Sequence, residues 1–281
     1  MPELPEVEMV RGAIAPRVCG RAIERAQLAD ASVCGHPGPE RFVRAVCGRT
    51  ITSLARRGKF LRFCLDRGEL VVHLRMTGVL MACPPDFPSE PHTRAVLDLS
   101  GGMQLRFADV RRFGRLWLID AGEVDDFTGM DRLGAEPFDP CVTGAWLKER
   151  LGRSSRAVKT CLLDQTAVCG IGNIYSDEIL FAARIHPQRP ARSLTAPEWK
   201  RLAQTTKELM SFHVEQTRAS PEEYLRTRGR EYRSTPFLRV YGHAGEACPV
   251  CGTKLERAVI GGRSSVFCPK CQMRRAERDR P

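Results

Sequence analysis

Residues 60–74 read FLRFCLDRGELVVHL. Two short runs rich in β-formers, Phe60–Leu65 and Glu69–Leu74, flank the turn residues Asp66-Arg67-Gly68, so the spacing predicts an antiparallel hairpin. A second pair, Ala95–Ser100 and Met103–Phe107 around Gly101-Gly102, repeats the pattern, and Gly114–Asp120 adds a strand. Ahead of these, Val7, Val10 and Ile14 share one face of a helix of about a dozen residues. The first half therefore reads as a β-sandwich or barrel carrying a helix. Past the segment GAEPFDP (134–140), which reads as a linker, the pattern turns helical. Thr143 opens one helix, and Thr195 with Glu198 forms a capping box ahead of Trp199, Leu202, Thr206, Leu209 and Phe212. There is no internal repeat and no low-complexity tract.

The chain has 281 residues, 42% of them hydrophobic, which suffices for ordinary cores in two domains. A basic segment followed by an apolar stretch is missing from the N-terminus, and no apolar run is long enough to cross a bilayer. The expectation is a soluble, cytoplasmic protein. The formal net charge of +11 favours a polyanionic partner. Residues 252–281 concentrate that charge, with eight Lys/Arg against three acids.

Four cysteines, Cys248, Cys251, Cys268 and Cys271, form C-x2-C-x16-C-x2-C, the spacing of a four-thiolate zinc site. Gly252, Gly261 and Gly262 mark turns of an intervening hairpin, and one structural zinc ion per chain is expected. The other eight cysteines are scattered without paired spacing and read as reduced, mostly core residues.

At the opposite end the chain opens MPELPEVE. A small residue after Met1 permits removal of the methionine, leaving Pro2 with a free secondary amine. An α-amino group titrates near pH ~7.7 to 8.0, so far more of it is neutral at working pH than of a lysine, and a secondary amine attacking a sugar carbon can form an iminium. Glu3 and Glu6 stand near as proton carriers. A capped helix start is the other reading of these eight residues. Between two helical segments, Gly170-Ile171-Gly172-Asn173 cannot be a dinucleotide fingerprint, because position 175 is Tyr and the preceding Ala157–Leu163 reads as helix. What remains is a tight connection aiming N–H groups and Asn173 at an anion, or a plain helical turn.

Taken together, Pro2–Glu8, RRGKFL around Lys59, HLRMTG from His73, DVRRFG from Asp109, DQTAVCGIGNIYSDEILFAARIHP from Asp164, VYGHAGEACPVCG from Val240 and the closing FCPKCQ resemble the bacterial formamidopyrimidine-DNA glycosylase family. The blocks run in family order over nearly the whole chain, and ELPEVE is more similar to this branch than to the endonuclease VIII branch. The resemblance implies an α+β multidomain fold: an N-terminal β-sandwich with a helix (1–133), a linker (134–140), a helical helix-two-turns-helix domain (141–240) and a C-terminal zinc ribbon (241–281). It implies a bifunctional DNA glycosylase and AP lyase of base excision repair, which excises oxidised purines (8-oxoguanine, formamidopyrimidines) and cleaves the strand by β,δ-elimination. Its partner would be double-stranded DNA containing oxidised bases or abasic sites, lying in a cleft between the halves, and the enzyme would be monomeric.

By the same resemblance Pro2 is the Schiff-base nucleophile and Glu3 the acid that protonates the sugar. Lys59 is associated with β-elimination and phosphate binding, and Arg263 with δ-elimination. Met76, Arg111 and Phe113 match the trio that fills the hole left by the flipped nucleotide; core packing is the alternative for Met76 and Phe113. His73, His92, Lys159, Asn173 and Arg111 fall where the family contacts DNA, with a structural histidine as the alternative for both His. Two departures stand out. Residues 226–239 carry five arginines where a glycine-rich loop usually caps the flipped base, and Ser154 and Ser155 replace expected basic residues. The altered segment leaves open a shift to oxidised pyrimidines or hydantoins, and the zinc ribbon alone is compatible with a non-catalytic DNA-binding protein.

Overall fold

The computed structural model describes residues 2–230 and 235–274. The chain divides into two compact units, Met1–Asp131 with Gln216–Arg233, and Arg132–Glu215 with Ser234–Pro281.

The first unit begins with α1 (Leu4–Val18), followed by β1 (Ile23–Leu28), β2 (Cys34–His36), α2 (Pro39–Val46), β3 (Ile51–Arg57), β4 (Phe60–Leu65), β5 (Glu69–His73), β6 (Gly78–Cys83), β7 (Thr93–Leu99), β8 (Met103–Asp109) and β9 (Arg115–Ile119). Two sheets result, one ordered β1-β7-β8-β6 and the other β2-β9-β5-β4-β3. Both expected hairpins are present. Strands β4 and β5 pair with Phe63 opposite Leu70, and β7 pairs with β8 with Leu97 opposite Leu105. Alternation sets the faces: Leu61, Phe63 and Leu65 of β4 point inward while Arg62 and Cys64 are half-buried. Strand β5 ends one residue before expected, because Leu74 leads into Arg75, whose φ of 51° turns the chain away. Residues of both sheets meet those of α1 in one apolar core. Helix α1 is buried nearly all round, with Leu4, Val7, Val10, Ile14 and Val18 at 0–4% exposure.

In the second unit come α3 (Gly144–Leu151), α4 (Val158–Leu162), α5 (Asn173–Ala182) and α6 (Ala196–Gln216), and, after α7 (Pro221–Arg226) of the first unit, the hairpin β10 (Glu256–Ile260) and β11 (Arg263–Phe267). Thr143 caps α3 as expected, its hydroxyl accepting from Trp146 N at 3.2 Å. The Glu198 half of the second box is present: its carboxylate accepts from Thr195 N at 2.7 Å. The buried face of α6 runs Trp199, Leu202, Ala203, Thr206, Met210 and His213. That is displaced from the expected face, so Phe212 stands 46% exposed.

Two expected boundaries are corrected. Residues 134–140 are no free linker, because Ala135 bridges Val168, Gly134 N donates to Gln165 O at 2.8 Å, and Cys169 N donates to Ala135 O at 2.9 Å. The reason is local: a Cβ at Gly134 would lie 2.1 Å from Ala167 O, so only glycine lets the strands approach. Nor does the helical unit run unbroken to 240. Helix α7 packs on α1, with Tyr224 in the sandwich core and its hydroxyl donating to Leu80 O at 2.9 Å. Arg17 and Glu222 pair at 3.0 Å on the surface above it. Among the described residues no helix is long and apolar enough to cross a membrane.

Tyr224→Phe removes a buried donor and its bond to Leu80 O, so the first unit should lose about 1 to 2 kcal/mol. Urea unfolding followed by tryptophan fluorescence checks this; an unchanged midpoint would show that α7 is not fastened through this bond.

Candidate active site and nucleic-acid interface

The first turn of α1 is closed by a capping box in which Glu3 N donates to Glu6 Oε2 at 2.9 Å. Pro2 and Glu3 are both buried, and Pro5 occupies the first turn, where its missing N–H is harmless. One turn on, Glu8 takes two arginines. Its Oε1 accepts from Arg11 at 2.6 and 2.8 Å, and its Oε2 from Arg56 Nε at 3.1 Å. Arg56 Nη1 then donates to Gly58 O at 3.0 Å, inside the two-residue turn Gly58-Lys59 that joins β3 to β4. Gly58 sits at φ 54°, the conformation such a turn asks of its first residue. The Glu8 carboxylate thus helps fasten the lysine turn to the helix whose N-terminus carries Pro2 and Glu3. The Lys59 side chain is itself buried.

His73, at the end of β5, is buried edge-on against Phe60 with ring centroids 4.5 Å apart. Burial, reinforced by the Arg75 and Lys59 cations, pulls its pKa down to about 3. The imidazole is therefore neutral in the physiological range. Its Nδ1 accepts from Arg75 N at 2.9 Å, which assigns the proton to Nε2. It offers one neutral N–H donor. His92 differs, being exposed at φ 68° with its carbonyl bonded to Asp109 N at 3.0 Å.

Asp109 organises the loop that follows β8. This buried carboxylate accepts from Thr77 Oγ1, from Arg111 N at 3.1 Å and from Gly114 N at 2.7 Å. Gly114 is required, since a Cβ there would meet Phe107 Cζ at 2.4 Å. The loop so fixed projects Phe113, 48% exposed, with the Arg111 guanidinium 4.7 Å above its ring. Core packing is thereby excluded for Phe113. Met76 is half-buried and lines an open cavity beside Thr77.

In the second unit Lys159, expected at DNA, is held by other groups of the chain. Its side chain is fully buried, pairing with Asp177 Oδ1 at 2.7 Å and donating to Ser264 O at 3.0 Å. Asn173 Nδ2 donates to the same carbonyl at 3.0 Å, and Asp177 Oδ2 accepts from Val266 N at 3.0 Å. Lys159 and Asn173 therefore hold the finger hairpin, whose exposed Arg263 immediately precedes Ser264. Next to Asp177, Glu178 accepts three consecutive backbone N–H groups, from Arg239, Val240 and Tyr241, at 2.8–2.9 Å. Burial pushes the pKa of both carboxyls up, that of Asp177 to about 6, against the pull of Lys159 and the N–H donors. The α4–α5 connection is closed by Gln165, which sequence reasoning did not single out; it donates to Ile171 O at 2.8 Å and accepts from Gly170 N at 2.9 Å.

The four cysteine sulfurs lie within 4.8 Å of one another. Cys248 and Cys271 are 3.9 Å apart, and Cys251 and Cys268 3.5 Å. Tetrahedral zinc with Zn–S of about 2.3 Å needs sulfurs about 3.8 Å apart, so the set fits. Backbone N–H groups of Val250 and Cys271 point at Cys248 and Cys268 sulfurs, as thiolates require. Gln272, also unforeseen, anchors the second knuckle by accepting from Cys268 N and donating to Ile185 O, both at 2.9 Å. These cysteines form a structural zinc site. The other eight are free thiols. Arg275, Arg278 and Arg280 of the basic tail, and Arg233 of the arginine-rich segment, lie outside the described residues.

Three family models match in order: the formamidopyrimidine-DNA glycosylase N-terminal domain at residues 1–116, the formamidopyrimidine-DNA glycosylase H2TH domain at 133–223, and the zinc finger found in FPG and IleRS at 245–274. The formamidopyrimidine-DNA glycosylase of Geobacillus kaustophilus is 41% identical over 273 residues, covering 97% of this chain and 100% of that protein. That of Moorella thermoacetica is 45% identical, covering 92% and 94%. Among solved structures, Lactococcus lactis Fpg in complex with DNA containing an oxidised pyrimidine has a TM-score of 0.88 at 33% identity. The same enzyme with abasic-site DNA gives 0.87 at 33%, and each match covers 97% of this chain and 100% of that one.

Lys159→Met leaves the Asp177 carboxylate buried without its cation, and should cost about 3 to 5 kcal/mol of second-unit stability, with partial recovery in the double variant carrying Asp177→Asn. Denaturation of the single and double variants is the measurement. Full stability with a salt dependence of DNA binding flattened by about 0.9 would instead restore Lys159 as a phosphate contact.

Proposed function

The chain belongs to the formamidopyrimidine-DNA glycosylase family, and on that premise we propose that it excises oxidised purines from double-stranded DNA and cleaves the strand by β,δ-elimination through a Schiff base on Pro2. The observation that carries this reading is the gathering at the start of α1: Pro2, the buried Glu3, and the Lys59 turn tied back through Arg56 and Glu8. An amine nucleophile, a carboxyl group and a lysine are the three groups such a reaction uses.

With Met1 removed, the neutral Pro2 nitrogen donates its lone pair to the sugar C1′. The C1′–N bond to the damaged base breaks, the base leaves with a proton, and Glu3 protonates the sugar ring oxygen as the ring opens to the iminium. Loss of a C2′ proton then expels the 3′ phosphate. A further proton loss expels the 5′ phosphate, and hydrolysis of the iminium returns the Pro2 amine. Lys59 and Arg263 act on the flanking phosphates, where a lysine supplies a compact charge and an arginine a bidentate one. Zinc has no part in these steps; it holds the ribbon folded.

Base extrusion precedes all of this, at a cost of a few kcal/mol. The exposed Phe113 and the Arg111 stacked on it suit a wedge, the ring entering the stack and the guanidinium meeting the orphaned base. Phe113→Ala should therefore lower excision of a paired 8-oxoguanine about tenfold more than it lowers cleavage at a preformed abasic site. Wild-type protein should release 8-oxoguanine faster than thymine glycol. Equal losses on the two substrates would contradict the wedge, and a preference for thymine glycol would contradict the purine reading.

A further inference from the structure

The finger hairpin pairs Ile260 with Arg263 across the turn Gly261-Gly262, so Arg263 opens β11. It is exposed, and the backbone that carries it sets its place. Strand β10 takes one edge of β11. Two backbone groups on the other edge, Ser264 O and Val266 N, lie two residues apart, as successive ladder positions of a strand do. Among the described residues this sheet has two strands, so side chains of α4 and α5 meet those groups instead. Lys159 Nζ and Asn173 Nδ2 both donate to Ser264 O at 3.0 Å, and Asp177 Oδ2 accepts from Val266 N at 3.0 Å.

Asp177 is central to this edge. It stands four residues after Asn173, on the same face of α5. Its carboxylate is 1% exposed and divides its two oxygens, Oδ2 taking Val266 N and Oδ1 taking Lys159 Nζ at 2.7 Å. It therefore holds β11 twice, once directly and once through the lysine that reaches Ser264 O. Both bonds are charge-assisted and shielded from water, which makes the attachment stiff. The tip of the hairpin is laid against α4 as well, since a Cβ at Gly261 would lie 2.8 Å from Thr160 Oγ1. Arg263 stands between the braced tip and the braced edge.

Resting on the reading that Arg263 acts on a flanking phosphate during δ-elimination, we propose that Asp177 is a positioning residue for Arg263. By fixing β11 at Val266 N and Ser264 O, it decides how completely the first strand cut is followed by the second. Consecutive Cα atoms are about 3.8 Å apart, so movement at Ser264 passes to Arg263 almost undiminished. A displacement of about 1 Å in a group that stabilises the transition state can cost a hundredfold in rate. In Asp177→Asn an amide offers one oxygen where the carboxylate offers two, so Val266 N or Lys159 loses its partner and the edge of β11 loosens. Asp177 is itself buried, and its effect on the reaction is carried by Arg263.

The test uses the full zinc-loaded chain in excess over duplex carrying a preformed abasic site, with β and δ products resolved on a denaturing gel. Wild type, Asp177→Asn, Arg263→Ala, the double variant of these two, and Thr143→Ala are compared below every melting transition, with zinc content measured. Asp177→Asn should lower the δ-to-β product ratio about tenfold. The double variant should show the Arg263→Ala ratio and no lower, because without Arg263 nothing is left to position. Thr143→Ala removes the α3 cap, weakens the second unit and should keep the wild-type ratio, so lost stability alone does not imitate the effect. Should Asp177→Asn not hold zinc, Lys159→Met combined with Asp177→Asn leaves no buried charge unpaired and carries the same expectation. A zinc-loaded Asp177 variant with the wild-type ratio, a double variant in which the two losses multiply, or a Thr143→Ala ratio as low as that of Asp177→Asn overturns the inference and leaves the reading of Arg263 standing. Wild type that yields no δ product, or Arg263→Ala with the wild-type ratio, overturns that reading and the inference with it.

Discussion

Burial of α1 inside the sandwich is the constraint on which the candidate active site depends. An amphipathic surface helix would shed its first turn easily, but this helix buries nine of its fifteen residues and enters the core of both sheets. Each of its large buried side chains contributes roughly 1.5 to 3 kcal/mol. The helix terminus carrying Pro2 and Glu3 is consequently among the best-anchored points of the unit. Preorganisation of this kind is what a covalent mechanism needs, because misplacing the reacting nitrogen by about 1 Å can cost a hundredfold in rate. Glu8 extends the anchoring sideways through Arg56 to the lysine turn.

The second unit solves a different problem with different means. Its finger is too small to bury much apolar surface, and the cluster around Phe181, Val240, Leu255 and Val266 is modest. Zinc closes one end of it. At the other end two adjacent carboxylates of α5 take over, Asp177 binding Val266 N and Lys159, and Glu178 binding three successive N–H groups of the entering chain. Buried charges are expensive unless fully paired, and here each finds named donors. The exposed Arg263 thereby projects from a rigid hairpin.

Local chemistry was legible in the sequence. Turn residues located both hairpins, Thr143 located a helix start, and C-x2-C spacing located the zinc site, because each signal lies within a few residues. Non-local pairing was not legible. The resemblance placed Lys159 at DNA, and nothing near it in sequence announces Asp177 and Ser264 as partners. Tyr224 gave no sign that α7 returns to the first unit, a return in which its hydroxyl, the Arg17–Glu222 pair and apolar contact take part. Strand β1 hides its face behind an irregular burial pattern, and β2 is three residues long. The candidate site divides the same way. Its residue types were readable, whereas the neutral state of His73 and the Glu8–Arg56 strap emerge only when separate segments are brought together.

In the proposed reaction the nitrogen of Pro2, held at the buried end of α1, bonds to the sugar. Its most direct test is to reduce the enzyme with borohydride while it acts on abasic-site DNA, digest the adduct and locate the added deoxyribose fragment by mass spectrometry. A single modified peptide beginning at Pro2 is expected, with the mass increment on the prolyl nitrogen and none on Lys59. An increment on a lysine side chain, or no covalent adduct from a protein that still cleaves the DNA, would contradict it.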